Sequence, residues 1–171
     1  MSYENKIASP ASLAVAMIIS SWQAQNKRLD TLIDKLSDEQ LLKETAPGRN
    51  RGIYLLGHLA AVNDSMLPIL GFGEKLYPHL EKIFITEADN LNTATPSLSE
   101  LKDCWKTVNA KLDDAFATLN NDDWFSRHML VSAEDFVKDP HRNKLNILIS
   151  RATHQSYHLG QLAYLGELKV D

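Results

Sequence analysis

From residue 51 to residue 66 the chain is apolar nearly all round, carrying Ile53, Leu55, Leu56, Leu59, Ala60, Ala61 and Val62, and His58 stands in the middle of that run. A helix with no polar face cannot rest on a surface and must be enclosed on several sides by other elements. No stretch alternates apolar and polar residues with β-branched enrichment, so strands are not expected to do the enclosing. The partners must be helices, and three further segments have the spacing for it.

The first runs over 10–36, with Leu13, Ala16, Met17, Ser20, Ala24, Leu29, Leu32, Ile33 and Leu36 in register after Ser9-Pro10, proline being tolerated in a first helical turn. The second is the apolar segment 51–66, which follows Ala46-Pro47-Gly48 and is expected to end at Pro68 and Gly71. The third, 97–119, opens on Ser97 with Glu100 three residues later, a capping-box signature, and carries Leu101, Cys104, Trp105, Val108, Leu112, Ala115, Phe116 and Leu119. The fourth, 140–167, holds Leu145, Leu148, Ile149, Ala152, Leu159, Leu162 and Leu165. The expected fold is an all-α four-helix bundle, one domain over 1–171 with a single core. Residues 69–96, irregular apart from a short helix near 76–84, connect helices 2 and 3. A connection that long can cross the bundle and set those two helices parallel.

The halves of the chain echo each other. Leu29-Asp30 and Leu36-Ser37-Asp38-Glu39-Gln40-Leu41 align without gaps on Leu112-Asp113 and Leu119-Asn120-Asn121-Asp122-Asp123-Trp124. Arg49-Asn50-Arg51 echoes Arg142-Asn143-Lys144, each just before a histidine-bearing helix. Each half then reads as one helical hairpin with an irregular turn.

The net charge of -4 and a pI near 5.8 leave no electrostatic footprint for nucleic acid or an anionic membrane. Cys104 is the only cysteine, so no internal disulfide forms, which suits a reducing compartment. The apolar run 13–19 does not read as a signal peptide, because Glu4 dilutes the positive start and amphipathic sequence continues through Trp22, Leu29 and Leu32. The expectation is a cytoplasmic protein with a small-molecule partner, no nucleic acid and no membrane, for which a homodimer stays open.

His154 and His158 are four apart in a helix, so their rings project from one face one turn from each other, the spacing at which two imidazoles can share an ion. Ile147, His154, His158, Leu162 and Leu165 form one stripe, which points the pair along the seam to be buried. His58 turns inward on the pattern Leu55, His58, Val62. Buried histidines need partners, and a metal satisfies several at once. His79, His128 and His141 lie in loops or at helix edges, where solvation is the default, and take no role.

Gly57-His58-Leu59-Ala60 followed by Asn63-Asp64, together with His154-x-x-x-His158-Leu159-Gly160-Gln161-Leu162, resembles the DinB/YfiT-like superfamily. So does the turn phrase 36–41 followed by Pro47-Gly48-Arg49-Asn50. The resemblance implies a four-helix bundle with an up-down-down-up path. It also implies that one histidine of helix 2 and two of helix 4 bind a divalent transition metal, nickel or zinc. His58, His154 and His158 occupy those places, and Asn63, Asp64, Arg151 and Gln161 are nearby candidates for contacts to the ligand histidines or to a substrate.

Three neutral imidazoles leave the double charge on the ion and at least one position open, the composition of a catalytic site. Such an ion lowers the pKa of a bound water or deprotonates a bound thiol. The family's characterised enzymes use a low-molecular-weight thiol as cosubstrate, which implies a metal-dependent S-transferase or hydrolase acting on a small molecule. Two other readings stay open: a non-catalytic metal-binding or stress-response protein, and a helical interaction module without metal. If the site is catalytic, a pocket is expected at the bundle end where the turns 41–49 and 124–139 come together.

Overall fold

The computed structural model describes residues 9–166. Glu4, invoked against a signal peptide, and Glu167, the expected end of helix 4, lie outside that range, as do both ends of the expected 1–171 domain. Among the described residues there are nine α-helical segments and no strand: α1 (Pro10–Lys35), α2 (Asp38–Leu41), α3 (Gly52–Asp64), α4 (Met66–Leu70), α5 (His79–Glu81), α6 (Leu98–Phe116), α7 (Asn121–Trp124), α8 (Ala133–Lys138) and α9 (Lys144–Ala163). A π-helical turn, Lys82–Thr86, follows α5 directly.

The helix starts are set by side-chain caps. Ser9 accepts from the Ser12 N–H at 3.1 Å, with Pro10 in the first turn. Ser97 and Glu100 form the reciprocal box expected of them, at 3.2 and 2.8 Å. The fourth long helix starts at Lys144 rather than residue 140, because Asn143 is its cap and accepts from the Asn146 N–H at 2.9 Å. Pro68 does not end the second apolar run. The helix breaks at Ser65 instead, Pro68 sits in the first turn of α4 where its missing N–H is harmless, and Gly71, at φ 83°, terminates that segment.

Two corrections concern the core. In α1 the buried stripe is Val15, Trp22, Asn26, Leu29 and Ile33, whereas Leu13 and Met17 are 55% and 63% exposed. Both lie two positions from Val15, nearly opposite on a helix, so the expected register was right only from Leu29 onward. The buried apolar residues also form two clusters, not one. Between them lies a polar layer, where Gln155 Nε2 donates to Asn26 at 2.8 Å and Asn63 Nδ2 donates to Asn109 at 2.8 Å.

One cluster gathers Leu29, Ile33 and Leu36 with Leu162 and Leu165, and Ile53–Ala61 with Leu98–Trp105. The other gathers Val15 and Trp22 with Leu145 and Leu148, and Met66–Leu70 with Val108–Phe116. α1 and α9 therefore lie side by side with like ends together, and so do α3 and α6. The echo between the halves has structural counterparts. α2 and α7 are both four-residue helices with complete capping boxes, each ending on a buried side chain, Leu41 or Trp124. Each is followed by an isolated bridge, Glu44–Arg51 or Arg127–Asn143, that leads into a histidine helix. The stretch Gly52–Leu70 is long and apolar enough to cross a membrane by composition, but 78% of it is buried inside the bundle, so the core accounts for its apolarity.

Candidate metal centre

His58 comes from α3, and His154 and His158 from consecutive turns of α9. The Nε2 atoms of His58 and His154 are 3.2 Å apart and those of His154 and His158 are 3.0 Å apart. The candidate ligand atoms of all three lie within 4.8 Å of one another. Three donors held at about 2.0–2.1 Å from one ion sit roughly 3.3–3.4 Å apart at tetrahedral angles and roughly 2.9 Å apart at right angles. Both of the shorter separations fall between these limits and the third pair is within 4.8 Å, so the rings can draw together around one ion.

The partner of each Nδ1 decides which nitrogen keeps its lone pair. His58 Nδ1 lies 2.7 Å from the Phe84 carbonyl, which can only accept, so the proton sits on Nδ1 and the lone pair on Nε2. His158 Nδ1 donates to Gln161 Oε1 at 2.7 Å with the same result, and Gln161 Nε2 donates on to the Tyr157 hydroxyl at 3.3 Å. Two Nε2 lone pairs thus point at a third Nε2, and one N–H on His154 could satisfy only one of them. A cation at the centre satisfies all three, and hydrogen-bonded Nδ1 groups are the usual support of histidine ligands.

The rings are half-buried and kept neutral. The His154 pKa is pushed down to about 4, first by burial, then by the neighbouring His158 and His58 and by the Arg151 charge. Burial likewise lowers His58 and His158, against the raising effects of the Phe84 carbonyl and Gln161. Neutral imidazole is the form that binds metal.

The π turn is what holds His58. Gly57 makes room for it: a Cβ there would lie 2.5 Å from the buried Phe84 ring. Tyr54, one turn earlier, stacks on His58 and donates its hydroxyl to the Glu87 carbonyl at 2.6 Å. Asp89 accepts from the Arg51 backbone N–H at 2.7 Å and pairs with its guanidinium at 2.6 Å, capping α3 from the far side of the chain. Arg51, Tyr54 and His58 are thus one helical stripe gripping residues 84–89. The expected short helix near 76–84 is instead a three-residue helix and a π turn, and π turns occur frequently at functional sites.

Of the four neighbouring candidates, Gln161 touches a cluster histidine and Arg151 lies close enough to depress His58 and His154. Asn63 and Asp64 are engaged elsewhere. Asn63 faces Asn109, and the buried Asp64 accepts the N–H groups of Leu76 and Tyr77 at 2.8 Å each, anchoring the start of the long connection. His79 and His141 are exposed as expected, but His128 is buried, accepts from the Leu130 N–H at 3.3 Å and has its pKa lowered by that burial. Cys104 is buried, and burial, then Asp103, Asp64 and Glu100, raise its pKa, which makes it a poor nucleophile.

The two irregular turns do not come together. Gln40 donates to the Leu165 carbonyl at the C-terminal end of α9, whereas Arg127 bridges Asn143 at its N-terminal end. Parallel α1 and α9 force this separation. A cavity of about 560 Å³ instead lies along the side of the bundle, walled by Val62, Pro68, Ile69, Ile85, Met129 and Leu130, with Arg151, Lys75 and Glu81 as its charged members. Val62 is one turn on from His58 and Arg151 one turn before His154, so two lining residues lie a helical turn from the histidine cluster, although no cluster histidine lines the cavity.

No curated protein matches this sequence. A crystal structure of a conserved protein from Enterococcus faecalis shares the fold, with a TM-score of 0.63 at 14% identity over 88% of this chain and 93% of that one. The model of the DinB superfamily matches residues 21–162, a span that includes all three cluster histidines. This chain belongs to the DinB superfamily.

Proposed function

We propose that the chain is a metal-dependent enzyme of the cytoplasm that transfers a low-molecular-weight thiol to a small electrophilic molecule, on one nickel or zinc ion held by His58, His154 and His158. The observation that carries the reading is the convergence of the three Nε2 atoms, two of them with lone pairs fixed inward by Phe84 and Gln161. When bound, the ion supplies Lewis acidity at the position that three protein ligands leave open. The chain's own groups do the rest. Phe84 and Gln161 hold two rings in the metal-binding tautomer, and Arg151 adds positive charge on the cavity side. Cys104 is buried and of raised pKa, so the sulfur has to come from a second substrate. In the transfer that sulfur bonds to the electrophilic carbon, the leaving group departs with its bonding pair, and the thiol proton passes to solvent.

The test is to incubate the zinc- or nickel-loaded protein with cysteine or glutathione and 1-chloro-2,4-dinitrobenzene. Turnover above the uncatalysed rate, lost on chelation and in His158→Ala, is the expected result. One equivalent of tightly bound metal with no turnover across thiols and electrophiles would instead favour a non-catalytic metal protein.

A further inference from the structure

Arg151 has no visible use in holding the fold. It is half-buried, its Nε is buried with no hydrogen-bond partner, and among the described residues no carboxylate lies within ion-pair distance of it. A partly desolvated guanidinium with a buried, unpartnered N–H is unfavourable, and an anion that meets it removes that cost. The remaining charges of the cavity cancel: Lys75 and Glu81 are paired at 2.6 Å. An occupant of the 560 Å³ cavity therefore meets apolar walls and one net positive charge, presented as a planar fork. The same charge lies near the histidine cluster, where it helps keep the rings neutral and supplies no ligand.

We propose that the cavity takes a small molecule with an apolar body and a single carboxylate, the carboxylate on the Arg151 guanidinium and the body against Val62, Ile69, Ile85 and Met129. A monocarboxylate matches the guanidinium two bonds to two and neutralises the one uncompensated charge. A phosphate dianion would bring a second negative charge with no cation to meet it. The inference rests on the proposed function only for the reaction performed; the anion preference belongs to Arg151 and exists without metal.

The probes are 4-phenylbutyrate and its neutral amide, titrated calorimetrically into chelator-treated protein, so that metal cannot attract the acid. Wild type should bind the acid at least about tenfold more tightly than the amide, as a charged hydrogen-bonded pair does over a neutral one. Arg151→Met should bind acid and amide alike, with amide affinity within about twofold of wild type, which also shows the variant folded with its apolar walls intact. Arg151→Lys should keep part of the preference. Equal binding of acid and amide by wild type, a preference that survives Arg151→Met, or no saturable binding of the acid overturns the proposal. Metal uptake, measured separately on the same preparations, reports on the proposed function and cannot be confused with these outcomes.

Discussion

Replacing Gly57 with alanine tests whether the π turn tunes the histidine cluster from outside it. The new Cβ would stand 2.5 Å from two Phe84 ring atoms and 2.7 Å from a third. Carbon atoms settle at about 3.5–4.0 Å, so the ring and its backbone must retreat by roughly 1 Å. The same residue's carbonyl holds His58 Nδ1 at 2.7 Å, and a retreat of that size takes the bond past the ~3.2 Å at which it counts. Overpacking costs about 1–3 kcal/mol, and alanine returns about 1 kcal/mol of helix propensity. The net loss of about 0–2 kcal/mol lowers the melting temperature of metal-free protein by no more than roughly 8 °C at this chain length. Loss of the ring's orienting bond should weaken metal binding about 10- to 100-fold although no ligand has changed. Competition for zinc against a chromophoric chelator measures the affinity, and circular dichroism the melting temperature. In a Gly57→Ala, Phe84→Leu double variant, the smaller side chain should recover part of the affinity while stability stays low. Zinc affinity within twofold of wild type in Gly57→Ala would refute the reasoning.

Other expectations follow from the same geometry. His58→Ala should abolish metal binding but leave a cooperatively melting bundle, since apolar packing on both sides of the polar layer holds the helices; a collapse of the metal-free melting transition would contradict this. Gln161→Leu should lower zinc affinity about 10- to 100-fold through His158, measured by the same competition. Asp64→Ala removes the buried acceptor of two part-buried N–H groups, and should cost about 2 kcal/mol and roughly 4–8 °C in thermal melting without changing zinc affinity. Because His154 binds its proton only near pH 4 when folded, against about 6.5 when unfolded, zinc affinity should hold from pH 7.5 to about 6 and fall steeply below 5. The metal-free protein should lose stability as pH drops from about 6.5 to about 4, because over that range the unfolded chain takes up the proton first.

The bundle was legible because its signals are local. The Ser97/Glu100 box, the Ser9-Pro10 start and the all-round apolar segment each declare a helix without reference to the rest of the chain. The three histidines were legible because helical spacing and the apolar surroundings of His58 turn them inward. What escaped is carried by backbone or by packing at a distance. Phe84 supports His58 through a carbonyl, which every residue has, so nothing in its side chain marks the role. Asp64 was noticed, but a carboxylate near a metal motif and one that ties down a loop look the same in sequence. The exposed Leu13 and Met17 show that apolar spacing alone cannot choose between two registers of α1; the buried Trp22 and Asn26 decide it, and asparagine reads as polar until Gln155 is seen opposite. The separation of the two turns depends on α1 and α9 running parallel, a property of topology that no single segment encodes.

The central claim is that one ion sits where the three Nε2 atoms converge. Anomalous diffraction from crystals of zinc- or nickel-loaded protein, recorded on both sides of the metal's absorption edge, tests it most directly. One dominant peak is expected about 2.0–2.1 Å from Nε2 of His58, His154 and His158 alike, with at least one coordination position not taken by protein. A loaded crystal whose peak lies elsewhere, or that shows the three rings intact and no anomalous density between them, would contradict it.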